Sequence, residues 1–266
     1  MSDWGLIEYA ILIGSFWLTG LMFSYRIALR FGYKASRSFI EVQIALCVLL
    51  IYFHGAVVLG SKNVLIFMAV SSTVGILIEL IGTRTEWMFG QYRYSKDFGP
   101  KLFKRVPVFV PLMWCVLTYM GFWTARLLLA SQVSQSITRQ GIFIISAAFI
   151  VTLWDIVADP MVVHEGGRNW WYWEKRGKFH GVPFTNFAGW FLTAALIYIL
   201  LFVLADNLIP VSDLSPWIEH LPAFGYCVTM AVFGWACLDR RLIAPGIIGL
   251  LVAVFCFVMG LMNIIR

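Results

Sequence analysis

Long apolar runs separated by polar connections set the organisation of this chain. Eight such runs can be read, at about 6–28, 39–59, 63–82, 107–130, 141–159, 187–205, 219–237 and 243–263. Each has roughly the 20 residues that an α-helix needs to cross a hydrocarbon core. The third run is interrupted by Gly75 and Gly82, and the seventh opens on His220 and Pro222. Together the runs occupy most of the chain, which leaves no room for a separate soluble domain, and no internal repeat is visible. The predicted fold is all-α: a polytopic transmembrane helix bundle of about eight spans, one integral-membrane domain over 1–266.

Composition agrees. The chain is 61% hydrophobic and only 13% charged, with a mean hydropathy of +0.82, whereas soluble domains run near ~25% charged. The segment after Met1 carries Asp3 and Glu8, ends in Arg26 and Arg30, and has no small-residue cleavage site. It is therefore expected to remain as the first span. Cys47, Cys115, Cys227, Cys237 and Cys256 all fall in or beside apolar runs and form no CxxC pair. They read as small buried side chains, not as disulfides or metal ligands.

The net charge of +6 could suggest nucleic acid, but its distribution points to a membrane. The connections after spans one, three, five and seven hold 15 of the 20 Lys and Arg residues, including Arg84, Arg93, Lys101, Arg105, Arg168, Lys175 and Arg240. The other connections carry Asp206, Asp213 and Glu219 and few bases. By the positive-inside rule the odd-numbered loops are cytoplasmic and both termini are outside. The bases are expected to meet anionic lipid headgroups. No nucleic-acid partner is expected.

Against this background a few carboxylates stand out. Glu79 closes the third run, and Asp155 and Asp159 close the fifth. A charged side chain at mid-helix costs roughly 2.5–3.5 kcal/mol on insertion scales. Asp155 and Asp159 are four apart and share a helix face; Glu79, Thr83 and Glu86 form a similar stripe. Both helices run in the same direction, so the carboxylates lie at one depth, which Asn186 enters at the start of the sixth span. The plain alternative pairs Glu79 with Arg84, and Asp159 with Arg168 or a loop backbone donor, as structural clamps. The set together favours a site, because polar groups converging in a low-dielectric patch let a carboxyl keep a proton and donate it.

The two connections that follow these helices, 83–106 and 160–186, are long and crowded with aromatics, glycines and charges. Pro160 is expected to stop the fifth helix at Asp159. Trp170, Trp171, Tyr172 and Trp173 read either as an interfacial belt or as part of the wall of a cavity for a long apolar molecule. His54 reads as a hydrogen-bonded packing residue and Arg126 as a snorkelling one. His164 and Glu165 open a HEGGR segment that lacks the second histidine of a zinc motif; His180 lies further along the same loop. No metal or haem site is expected. No dinucleotide, Walker A, nucleophile-elbow or kinase pattern is present, and Gly166–Gly167 reads as a turn. No cofactor is predicted.

Two stretches carry a resemblance. Residues 79–114, with Glu79, Gly82, Phe89, Gly90, Tyr92, Tyr94, Gly99, Pro100, Pro107, Pro111 and Trp114, are followed by Asp155, Asp159 and Pro160, then by Gly181, Pro183, Asn186, Gly189 and Trp190. In this order they resemble the CruF-type carotenoid hydratases, membrane proteins of carotenoid biosynthesis. The resemblance covers the middle 110 or so residues; the outer helices match only in hydropathy. It implies cofactor-independent addition of water across the terminal C1–C2 double bond of an acyclic carotenoid end group, in monocyclic or bacterioruberin-type pigments. The basic sequence lacks the acidic surface of an extreme halophile, which weighs against the C50 route. The resemblance also implies a carotenoid or other long isoprenoid partner, association with other membrane enzymes of the pathway, and location in the inner or plasma membrane.

The residues suit that chemistry. A desolvated acid must protonate C2, a tertiary cation forms at C1, and a held water captures it. Asp155 or Asp159 is the expected acid, the other sharing its proton with Glu79, while Asn186 and Arg84 orient water or fix a carboxylate, and Glu86 is a further candidate. Trp87, Tyr92, Tyr94 and Trp154 offer faces for the cation, and Trp190 completes the expected substrate contacts; a desolvated cation–π contact is worth roughly 2 kcal/mol. Gly75, Gly82 and Gly189 would allow close approach of the substrate, or simply of other helices. Two other functions are open. An intramembrane prenyl transferase or cyclase would use Asp155 and Asp159 to hold Mg²⁺ and diphosphate, although only one such motif is present. A lipid-binding scaffold or proton-coupled transporter would use the carboxylates as a relay.

Overall fold

The computed structural model describes residues 5, 10–15, 18–20, 22, 37–85, 87–129, 136–164, 170–206, 208 and 215–265. An apolar helix within Ala10–Gly20 (α1) is followed by α2 (Arg37–Val58), α3 (Ser61–Thr85), α4 (Val110–Leu128), α5 (Ile137–His164), α6 (Phe184–Leu204), the single turn α7 (Pro216–Glu219), α8 (Leu221–Asp239) and α9 (Ile243–Ile265). Four short strands lie in the loops: β1 (Tyr92–Tyr94), β2 (Lys101–Leu102), β3 (Val106–Pro107) and β4 (Trp171–Trp173).

The protein is a helical membrane bundle. Among the described residues, six of the eight expected spans are matched by helices long and apolar enough to cross: α2 from Glu41, α3, α5, α6, α8 and α9. The fourth expected span corresponds to α4, the central helix of the bundle. α4 buries 15 of its 19 residues and packs on α2, α3, α5, α8 and α9. Enclosed by protein, it carries Trp114, Tyr119, Trp123, Thr118 and Arg126 in place of a lipid-facing aliphatic surface. By contrast, α9 exposes Leu251, Val254, Phe255 and Phe257, as a helix at the lipid boundary does.

Several polar side chains inside the bundle are satisfied by backbone carbonyls. Thr118, Thr124, Thr152 and Thr193 each donate to the carbonyl four residues earlier at 2.7–2.8 Å, which hides the hydroxyl where no water competes. The Tyr198 hydroxyl donates to the Thr118 carbonyl and the Tyr226 hydroxyl to the Ile150 carbonyl, both at 2.8 Å, tying α6 to α4 and α8 to α5. His54 behaves as expected: it is buried, bonded to the Tyr119 hydroxyl and the Ile218 carbonyl at 2.7 Å each.

Three expectations are corrected. α3 runs unbroken through Gly75 and Gly82, because helix packing stabilises what glycine weakens. Pro160 lies inside α5, which continues to His164; one lost backbone bond is tolerated when neighbouring helices enclose the turn. Arg126 does not snorkel. Its guanidinium is buried and its Nε donates to Glu219 Oε1 at 2.8 Å.

The long loops after α3 and α5 meet. β1 and β4 form an antiparallel ribbon, pairing Tyr92 with Trp173, Arg93 with Tyr172 and Tyr94 with Trp171. Both loops therefore cover one end of the bundle, the arrangement that the charge pattern required. Strand alternation sorts the aromatic run, with Trp171 and Trp173 facing in and Tyr172 facing out.

Candidate active site

The ribbon sits over the ends of α3 and α5 and supplies donors to both. Tyr92 and Tyr94 are two apart on β1, so their side chains leave the same face. Both hydroxyls donate to Glu79 Oε2, that of Tyr94 at 2.7 Å. The indole Nε1 of Trp114, in the second turn of α4, donates to Glu79 Oε1 at 3.2 Å. Glu79 is buried and is held by three neutral donors. All three groups donate, so Glu79 serves here as a hydrogen-bond acceptor. Burial, and then the Glu79 charge, push the Tyr92 and Tyr94 hydroxyls well above the usual tyrosine range. They remain donors at any working pH.

Asp155 and Asp159 stack one turn apart on α5, both buried. Asn186, in the first turn of α6, donates its side-chain amide to Asp155 Oδ2 and to Asp159 Oδ2, each at 2.7 Å. Trp171 Nε1 donates to Asp159 Oδ1 at 3.1 Å, while Asp155 Oδ1 has no hydrogen-bond partner among the described residues. Among the described residues no Lys or Arg pairs with any of these three carboxylates, so Glu79 is not clamped by Arg84, while Arg168, the expected partner of Asp159 in the plain alternative, lies outside the described residues.

A cavity of about 30 Å³ lies between the two groups. Its wall includes Glu79, Asp159, Asn186, Tyr92, Tyr94, Trp114, Trp171 and Trp190. That volume suits roughly one or two water molecules, and the wall offers the polar partners that a buried water needs. Beside it runs a groove of about 540 Å³ bounded by residues of α1, α2, α4, α5 and α8, overwhelmingly apolar, from His54 and Leu221 at one end to Trp170, Met161 and Arg240 at the other. Met113 and Trp171 belong to both walls.

The expected site residues divide clearly. Glu79, Asp159, Asn186, Tyr92, Tyr94 and Trp190 converge on the cavity, and Asp155 joins them through Asn186. Trp154 lines the groove, its ring 6.2 Å from that of Trp190. Tyr92 and Tyr94, expected to face a cation, line the cavity and hold Glu79 through their hydroxyls. Arg84 is exposed; five residues beyond Glu79 it points about 140° away around the helix. Trp87 is 77% exposed in the turn after α3, outside both walls. Glu86 lies outside the described residues, as do Glu165 and Arg168. The space beside Gly75 is filled by Trp114, and that beside Gly82 and Gly189 by opposite edges of Phe89. These glycines serve protein packing and not a ligand.

Sequence reasoning named Trp171 only among four loop aromatics for a cavity wall and Trp114 only within the resemblance, and it missed Met113. A buried indole N–H almost always finds an acceptor, and reading 171–173 as a strand would have aimed Trp171 inward; Met113 carried no signal.

Comparison with known proteins fits this picture. A family model described as carotenoid biosynthesis protein matches residues 12–256. Over 123 residues, 46% of this chain, the sequence is 35% identical to a protein of Haloarcula japonica named bisanhydrobacterioruberin hydratase. The match spans 39% of that relative's length. No solved structure matches. With nearly its whole length covered by the family model, this helical membrane protein belongs to the carotenoid biosynthesis protein family.

Proposed function

We propose that the protein is a hydratase that adds water across the terminal C1–C2 double bond of an acyclic carotenoid end group. The observation that carries this reading is the water-sized cavity walled by Glu79 and Asp159, set against a long apolar groove. The hydratase name of the Haloarcula relative supports it.

The chemistry divides between the two carboxyl groups of α5 and the one of α3. Asp155 and Asp159 share one amide and, among the described residues, have no cation beside them, so the pair is the proton donor. Its proton goes to C2 as the double bond opens, leaving a tertiary cation at C1. Glu79, held as an acceptor, orients a water in the cavity. The water oxygen bonds to C1 and its proton passes to Glu79; a proton moved back to the aspartate pair completes the cycle. Indole faces beside the cation lower its energy. Protein, lipid and substrate all exclude bulk water, so the cation meets only the held one.

Among the described residues the cavity wall includes no Lys or Arg, which a diphosphate would require, and this weighs against the prenyl transferase reading. In this proposal the protein works in the inner or plasma membrane, with the ribbon on the cytoplasmic face, where water enters. Purified protein incubated in liposomes with an acyclic-ended carotenoid in H₂¹⁸O should give a product heavier by one labelled water, without added metal or diphosphate. Strict dependence on Mg²⁺ and diphosphate would refute it.

A further inference from the structure

We propose that Met113 and Trp171 form the seat of the reacting end group, a partition between the groove and the water cavity that decides which ends react. This rests on the hydratase reading and deepens it. The cavity has room for roughly one or two waters and none to spare for a hydrocarbon end as well. The reacting carbons must therefore stay on the groove side, and proton and water reach them across the residues common to both walls. Those residues are Met113 and Trp171.

Each is suited to the task. The Trp171 ring is buried and fixed at two points, by its Nε1 bond to Asp159 Oδ1 and by strand pairing with Tyr94. Its face is thereby held beside the acid, where the cation at C1 forms. Met113 is unbranched and adaptable, lying one residue before Trp114, which donates to Glu79. A flat dimethylvinyl end fits against a thioether and an indole. A cyclised end group, thicker in all directions, is held away from the proton.

The test uses the full-length protein in nanodiscs and an acyclic C40 hydrocarbon carotenoid bearing a diazirine at its terminal carbon. Irradiation should label Met113 or Trp171; label confined to other groove residues overturns the seat. Met113→Trp should bind the unmodified pigment with a Kd within threefold of the parent, by quenching of tryptophan fluorescence, yet lose at least 100-fold in ¹⁸O incorporation. Trp171→Phe should exceed Trp171→Leu in turnover at least tenfold. Wild-type turnover by Met113→Trp, or equal rates for the two Trp171 variants, counts against the seat. Labelling at Met113 with no ¹⁸O product in the parent protein would remove the hydratase activity while leaving the seat in place.

Discussion

Tyr94 and Trp171 face each other across the β1–β4 ribbon, and each donates to a different carboxylate, Tyr94 to Glu79 and Trp171 to Asp159. One strand pair thus spaces the groups contributed by α3 and α5. Neither helix alone sets that separation.

Loosening the ribbon should therefore cost activity before stability. Tyr94→Phe removes one donor to a buried charge, a bond worth about 1.5–3 kcal/mol. Turnover in the ¹⁸O assay should fall roughly 10- to 100-fold if that loss appears in the transition state. The helical circular dichroism should be unchanged. A variant as active as the parent would show that Glu79 needs no help from Tyr94.

Asp159→Asn and Glu79→Gln keep shape and remove the ability to hold or take a proton. Both should abolish water addition yet yield folded protein extractable in detergent. Near-normal rates in both would move the site elsewhere, with Glu86 or His164 next in line.

Asn186 donates to both aspartates at once, so its loss strands two buried acceptors. Asn186→Leu should lower thermal stability by about 1–3 kcal/mol and reduce turnover. Asn186→Asp, which adds a third carboxyl, should be worse on both counts. Thermal unfolding followed by fluorescence would rank the three proteins.

Burial and the Glu79 charge hold the Tyr92 and Tyr94 hydroxyls well above the usual range. A group in this position ionises later than exposed tyrosine as pH rises. Difference absorbance between the parent and the Tyr92→Phe/Tyr94→Phe double variant should show no tyrosinate from these two residues at pH about 10, where free tyrosine is half ionised. A tyrosinate signal at that pH would contradict the neutral-donor arrangement around Glu79.

Far from the cavity, the buried Arg126–Glu219 pair should be purely structural. Arg126→Met leaves Glu219 without its partner, and breaking a buried pair costs roughly 3–5 kcal/mol; with Glu219 partly exposed the lower end is expected. The melting temperature should drop while turnover at low temperature is retained.

Local and pairwise information in the chain was enough for the bundle and for the depth of its carboxylates. Twenty-residue apolar runs in a hydrocarbon solvent have no stable option but helix, and i, i+4 spacing already placed Asp155 and Asp159 on one face. Glu79 and Asn186 could be added because helix direction and loop charge put them at the same level. Tertiary structure decided the rest. Whether Glu79 met Arg84 or two tyrosines depended on the ribbon, a pairing of residues about 80 positions apart that helical periodicity does not encode. The same pairing turned Trp171 inward and left Trp87 outside. The water-sized cavity and the neighbouring groove exist only where several helices fail to fill space together, and no single stretch of sequence records such a gap.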